Sequence, residues 1–559
     1  MVSNKNLEIE LQELFKQKRY SEIVFEITSK TNENERSAGL FNLLGISRIT
    51  DNRKDKNIVS LAVEDFKKGY LLEKESIIGI DSLSNFVISS VLLRDLGNSN
   101  VDFDEIISFY KSSEKICLNH RGINVAMTMV YRRLNDYEGV LFHYERLIKN
   151  KNFGIRDLCS YGYWRCFDKN WKQSNFFDYG KFLDNNLPEY NERELVPLSK
   201  EKNNKIKIGF LSSDIKGGHS IIYFLKTILS NYDKNKFEIF LFLHQTQEDQ
   251  TTKEFIKLVD KSINISSFSD IQAINDIREQ NIDIMIDLMG YTSTNRIELF
   301  KNRIAKNQIL WMGYCNTSGL KNMDYIISDR NLIYPEEEKF YAEKVIFLNS
   351  IWNCHCGLDT KREYYDPPLN KNRYITFGSF NNFDKITPDV IDVWSKILRS
   401  LKNSKLILKS AKEIHTNKRI KKLFEKNGIQ DSVIFLDRKD EKEDHLNAYK
   451  EIDIALDTFP YNGVTTSFES IWMGVPVITL SGYNFNSRCG ESINKNLNIE
   501  YLIAKNENEY VAKAVDLSNN PNKYLELRKE IFEKALKSPL FDGKNYSKNF
   551  FQSLEDLNN

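Results

Sequence analysis

Cysteine is scarce. Seven are scattered through 559 residues, at 117, 159, 166, 315, 354, 356 and 489. An odd number in so long a chain argues against a disulfide framework. Cys354-His355-Cys356 has the look of a metal cluster, but no second C-x-x-C or H-x-x-H pair accompanies it. It therefore reads as reduced cysteines in a connecting segment, and no metal is expected. Charge of one sign is also missing: 79 basic residues stand against 78 acidic ones, a net charge of +1. That balance excludes a strongly basic nucleic-acid binder and an acidic tail protein. No run of 18 apolar residues occurs, so no membrane-spanning helix is expected. The opening MVSNKNLEIELQELF lacks the apolar stretch of a signal peptide. The expectation is a soluble, cytoplasmic protein. Alanine and proline are sparse while lysine and asparagine abound, which reads as genome-composition bias without functional content.

What is present suffices for folded cores: 41% of residues are hydrophobic and 12% aromatic. At roughly 100–200 residues per domain, the length suggests about three domains. The first part, to about residue 185, is helical in pattern. Leu7, Leu11, Leu14 and Phe15 recur at helical spacing, and Tyr20 and Ile23 open a second run. Residues 61–70 carry small and aromatic residues four apart, and a further unit runs from Ala126 to Ile148. Helix pairs of about 34 residues would make a degenerate tetratricopeptide-like array over residues 1–200. An irregular helical bundle is the alternative. One helix pair cannot bury both faces, so such units stack.

A charged stretch, Ser199 to Lys205, reads as a linker, and the pattern then changes. Strand-like segments at 205–211, 237–243, 282–288, 308–312, 325–328 and 345–348 are interleaved with helical ones. After a break at Asp366-Pro367-Pro368, a second series follows at 374–380, 405–409, 433–436, 452–456 and 475–480. Alternating strands and helices predict parallel sheets covered on both faces. The chain thus divides into a helical domain, 1–200, and two Rossmann-like halves, 205–360 and 372–559. Two such halves create a cleft between the carboxyl ends of their strands, where ligands bind.

Four loops carry candidate chemistry. Ser212 to Ser220 follows a strand, contains Gly217 and Gly218, and places His219 at a helix start. An imidazole there suits a general base, or simply a loop histidine. In Phe380 to Pro388, Lys385 lies between a strand end and a helix start, a good place for a phosphate, although alone it reads as a solvated lysine in a lysine-rich chain. Asp457 to Glu469 combines Gly463 with Thr465 and Thr466, ahead of a helix expected over Ser467–Met473. Hydroxyls and amides there make a phosphate cradle without a P-loop, or plain N-caps. Glu469 lies one turn on, within reach of a ribose hydroxyl. Lys442-Glu443-Asp444-His445 could flank a nucleobase with a cation and a flat ring, although alone it reads as a solvated charge run.

Taken in order, several fragments resemble the SPINDLY/O-linked N-acetylglucosamine transferase family, of the glycosyltransferase family 41 type. They include Gly209-Phe210-Leu211-Ser212-Ser213-Asp214, Asp287-Leu288-Met289-Gly290-Tyr291-Thr292, Met323 to Asp329, Phe377-Gly378-Ser379-Phe380-Asn381-Asn382, Leu456 to Tyr461 and Met473-Gly474-Val475-Pro476. The resemblance spans about residues 205–520. It implies an α/β GT-B fold, two Rossmann-like domains facing across a cleft, preceded by an all-α tetratricopeptide-like array. It also implies a nucleotide-sugar co-substrate such as UDP-GlcNAc and no catalytic metal.

By that resemblance Lys385, Thr465 and Thr466 hold the donor diphosphate. Lys442 and Glu469 contact the ribose, His445 stacks on the base and Asn382 contacts the donor. His219 is base or positioning residue. The chain departs from the family at Val464, where animal members have His, and at Glu469, which replaces Asp. It departs again at Tyr291, where many bacterial members have His, and by one extra residue between Asp214 and His219. The implied activity is inverting, metal-independent transfer of a sugar, GlcNAc first, to Ser or Thr of a protein held by the helical array. Alternatives are O-fucosyl transfer from GDP-fucose, N-glycosyl transfer to Asn, and a silent tetratricopeptide adaptor.

Overall fold

The computed structural model describes residues 4–98, 100–199, 202–358, 360–410, 414–437 and 442–558. The chain forms two compact units, Met1–Tyr161 and Gly162–Asn559.

The first unit is helical. Ala38–Thr50 packs on Lys56–Leu72, which packs on Ile77–Asp95, and Arg121–Arg133 packs on Tyr137–Lys149. Short polar caps start four of these helices. Ser37 accepts from the Leu40 amide, Asp55 from Asn57 and Ile58, Ser76 from Gly79, and Asp136 from Gly139. Each cap satisfies amides that the helix itself leaves unpaired. Ala62, Phe66 and Tyr70, the small and aromatic residues four apart, all lie in the core. Gly45 lets the Phe66 ring approach, since a Cβ there would sit 2.6 Å from it. The array is therefore tetratricopeptide-like. Helix Ile77–Asp95 is long and apolar enough to cross a membrane by length and composition, which the absence of an unbroken apolar run did not foretell. It is largely buried, and its Leu83, Phe86, Val87 and Val91 are core residues of this unit.

The second unit contains two parallel sheets. The first comprises β1 (Ile206–Ser212), β2 (Phe237–Leu243), β3 (Lys261–Asn264), β4 (Ile284–Asp287), β5 (Asn307–Leu310), β6 (Tyr325–Ser328) and β7 (Lys344–Phe347). Their spatial order is β3-β2-β1-β4-β5-β6-β7. The second comprises β8 (Thr376–Ser379), β9 (Lys405–Lys409), β10 (Val433–Leu436), β11 (Ile454–Leu456), β12 (Val477–Leu480) and β13 (Ile503–Ala504). Its order is β10-β9-β8-β11-β12-β13. In both sheets the order reverses beside the first strand, so the crevices open between β1 and β4 and between β8 and β11.

The carboxyl ends of the two sheets face each other. Asn316, beyond β5, donates to Asn486, beyond β12, at 3.3 Å. Asp329, just past β6, accepts from Ser492 Oγ at 2.6 Å, and Arg488 Nη2 donates to Glu337 at 2.7 Å. The Phe224 and Phe468 rings meet at 5.3 Å. This is the GT-B arrangement.

The proposed segment limits differ from the packing at two places. Residues 162–199 pack with the α/β unit, where Gly180 on helix Gln173–Asn186 touches Gly319. The last helix, Gly543–Asn558, crosses back to the first sheet's lobe. There Phe550 packs on Trp311 with ring centroids 4.6 Å apart, and Phe551 on Phe237 at 4.9 Å. An amphipathic helix carries no label for the sheet it will cover, so sequence alone assigned it to the second half. His355 stacks on Tyr223 at 4.9 Å and on Phe468 at 5.8 Å, so Cys354-His355-Cys356 is part of an aromatic joint between the lobes.

Candidate active site

Parallel strands end in loops, and at the β8–β11 crevice two of these loops interlock. After β8, Asn381 is buried and its Oδ1 accepts from Thr466 Oγ1 at 2.9 Å. Asn382 is exposed, and its side chain caps the short turn Phe383–Lys385 by accepting from the Asp384 amide at 3.1 Å. That turn aims Lys385 at the second loop. Its Nζ donates to the Asn462 carbonyl at 2.7 Å and lies 4.3 Å from the centre of the Tyr461 ring. Burial depresses the lysine's pKa, with Asp457 as the main opposing influence. A carbonyl dipole and a ring face orient the ammonium without supplying a counter-charge of their own.

The loop after β11 is built around Asp457. Its Oδ1 accepts from the amides of Thr458 at 2.9 Å and Gly463 at 2.6 Å, and its Oδ2 from Thr479 Oγ1 at 2.8 Å. Burial pushes this carboxyl up to about 6. Asn462 ties the loop down through the carbonyl of Thr458, at 2.8 Å, and the amide of Gly490, at 3.2 Å. At Gly463 a Cβ would lie 2.7 Å from Thr466 Oγ1, 2.8 Å from Asn381 Oδ1 and 3.0 Å from Asp457 Oδ1, so only glycine fits unstrained.

The helix that follows runs from Thr465 to Trp472, two residues earlier than expected. Thr465 and Thr466 are therefore its first residues and not its caps. Val464 holds the cap position and has no side-chain oxygen to offer the first amides. The Thr466 hydroxyl is spent on Asn381, so it does not fold back onto the helix. A helix start with uncapped amides, beside a lysine, is an anion site.

Further along the same crevice, His445 and Glu469 meet, Nε2 to Oε2, at 3.0 Å. Tyr449 donates to the same oxygen at 2.8 Å, and Lys409, the last residue of β9, reaches His445 Nδ1 at 3.0 Å. Burial raises the Glu469 pKa, but His445, Tyr449 and, more weakly, His355 outweigh it and leave it below the ordinary value. Lys442 opens the short helix Lys442–Asn447, and its side chain lies outside the described residues.

His219 belongs to the other lobe, beyond β1. Gly217 donates its amide to Asp249 at 2.7 Å and Gly218 adopts φ +77°, which turns the chain into the helix Ile221–Leu229. His219 Nε2 lies 3.7 Å from Asp214 Oδ1, and Lys216 shares that carboxylate at 3.1 Å. Burial lowers the imidazole pKa, Asp214 opposes this and Lys216 adds to it. At the end of β4, Asp287 accepts from the amides of Met289 and Gly290 at 2.9 and 3.0 Å, and burial raises it to about 6.

The geometry thus gathers Lys385, Thr465 and Thr466 in one cradle and His445 with Glu469 in an adjoining one. It sets His219 on the opposite lobe and leaves Asn382 as a turn cap. Asn381, Asp457 and Tyr461 stood inside the recognised fragments and Asn462 in the loop Asp457 to Glu469, but no spacing rule singled them out. Lys409 and Tyr449 had no signal at all.

The family model of glycosyl transferase family 41 matches residues 193–357 and 355–550. The chain belongs to glycosyl transferase family 41. Among its relatives is the tomato (Solanum lycopersicum) protein named probable UDP-N-acetylglucosamine–peptide N-acetylglucosaminyltransferase SPINDLY. It is 33% identical over 381 residues, which is 66% of this chain and 40% of that protein. The Caenorhabditis elegans UDP-N-acetylglucosamine–peptide N-acetylglucosaminyltransferase is 24% identical over 481 residues, covering 64% of this chain and 41% of that one. The chain spans about 40% of the length of these relatives. A mutant of the Thermobaculum terrenum O-GlcNAc transferase superposes with a TM-score of 0.80 at 20% identity, over 94% of this family 41 chain and 98% of the other. The shared fold therefore includes the helical array as well as both lobes.

Proposed function

We propose that this family 41 chain is an inverting protein glycosyltransferase that moves N-acetylglucosamine from UDP-N-acetylglucosamine to Ser or Thr hydroxyls. The observation that carries the reading is the convergence of Lys385 with the uncapped start of helix Thr465–Trp472 at the β8–β11 crevice. The donor is taken from the names of the relatives. The acceptor oxygen attacks the anomeric carbon as the bond to the diphosphate breaks, and the hydroxyl proton passes to a base on the opposite lobe. His219 is the candidate for that base or for the residue that orients the acceptor.

Negative charge grows on the leaving diphosphate. Lys385, the Thr465 and Thr466 amides and the Thr465 hydroxyl stabilise it, an arrangement fixed before substrate arrives. His445 and Glu469 supply the nucleoside end of the pocket. The helical array holds the acceptor polypeptide. Because protein cations and dipoles carry the leaving-group charge in this reading, transfer should survive an excess of EDTA. The test is a panel of nucleotide sugars, including UDP-N-acetylglucosamine and GDP-fucose, incubated with purified protein and a Ser/Thr-rich acceptor. Consumption of the first, with the sugar mapped to a hydroxyl, is expected. Consumption of none, or linkage to Asn, would defeat the reading.

A further inference from the structure

Lys409 has no part in the reading above, yet its position is specific. It ends β9, the neighbour of β8, so its side chain leaves the sheet at the same carboxyl edge as the cradle. Its Nζ lies 3.0 Å from His445 Nδ1. An ammonium has only hydrogens to offer, so Nδ1 must accept and carries no proton. On the far side of the ring, Nε2 lies 3.0 Å from Glu469 Oε2. A carboxylate only accepts, so the single imidazole proton is on Nε2. Tyr449 donates to the same carboxylate oxygen at 2.8 Å, which fixes the carboxylate in turn.

The two partners of the ring act in opposite senses. A carboxylate beside Nε2 favours a doubly protonated imidazolium, whereas a cation at Nδ1 blocks the second proton. Each also fixes the plane of the ring. A residue meant to lie flat against a planar ligand must be held in plane by bonds at its edge, and these two bonds lie at opposite edges.

We infer that Lys409 is a positioning residue that holds His445 with Nδ1 as acceptor and Nε2 as donor, and so fixes its plane for stacking on the donor nucleobase. The stacking role rests on the glycosyl-transfer reading; the tautomer does not. The protein labelled with 15N-histidine and free of nucleotide tests the tautomer directly, with His445 assigned from the spectrum of His445→Gln. The wild type should show one proton, on Nε2, at pH 7. In K409M, which keeps the length of the chain but not the donor, Nδ1 should gain a proton. K409R, which retains a cationic donor, should restore the wild-type pattern. The KM for the donor should rise about five- to tenfold in K409M, the loss of roughly one net hydrogen bond, with kcat within about twofold. A K409M protein whose His445 still carries its proton on Nε2 alone overturns the inference. A wild-type protein that binds no nucleotide defeats the glycosyl-transfer reading instead, and the spectra of the unliganded protein still decide the role of Lys409.

Discussion

Lys385 is held by a backbone carbonyl at 2.7 Å and by the face of Tyr461, so its charge is oriented without being neutralised by those contacts. K385M should lower kcat on the order of 100- to 1000-fold, by comparison with the removal of a single oxyanion-hole donor. Its thermal unfolding should change little, because the lysine side chain is partly exposed and anchors no core. A second prediction at this scale concerns His219. Burial moves its pKa below the ordinary 6.5, and Lys216 moves it further the same way. A lowered value means that the neutral ring persists to more acidic pH. If transfer needs that neutral ring, the acid-side fall of kcat/KM is centred below pH 6.5. A fall centred above 6.5 would exclude His219 as the base. Lys385 and His219 were visible in the sequence because each stands in a glycine- or asparagine-bearing loop between a strand and a helix. Lys409 was not, since nothing along the chain separates one lysine from the other 78 basic residues. Its meaning comes from β9 lying beside β8, a neighbourhood that exists only in the folded sheet.

The loop Asp457 to Val464 and the helix it feeds act as one element. Asp457 gathers two amides and a hydroxyl, Gly463 passes between three polar oxygens, and Thr466 locks the helix to Asn381. Gly463→Ala puts a methyl group among those oxygens. The expected outcome is at least a tenfold loss of UDP affinity, read by calorimetry, with secondary structure intact by circular dichroism. Unchanged affinity would mean that the loop does not shape the cradle. Helices and most strands were legible here, because apolar runs and Gly or Pro punctuation mark them. Two strands were not. β3, Lys261–Asn264, has the polar sequence of an exposed edge, and β13 is only Ile503–Ala504. The helix start was misplaced because a threonine pair before an apolar run looks like a cap, whereas its hydroxyl at 466 is drawn to another strand's loop.

Within the α/β unit, the two lobes are not independent beads. The chain's last helix returns from the second lobe to cover the first, and Phe550 is fully buried against Trp311. Phe550→Ala should cost about 3–5 kcal/mol, as other buried phenylalanine truncations do. It should lower the melting temperature by several degrees even though the residue lies outside the cradle. A melting temperature within one degree of wild type would contradict this packing. The order of domains and the alternation of strands and helices were readable because covalent sequence sets them. The crossing helix and the placement of residues 162–199 in the α/β unit depend on which apolar faces meet, and linear patterning does not encode that. In the proposed reaction, Lys385 and the helix start at Thr465 grip a nucleoside diphosphate. Titration of UDP into wild type and K385M, both in excess EDTA, tests this most directly. Clear binding to the wild type and at least tenfold weaker binding to the variant are expected; equal affinity for both would contradict the role of Lys385.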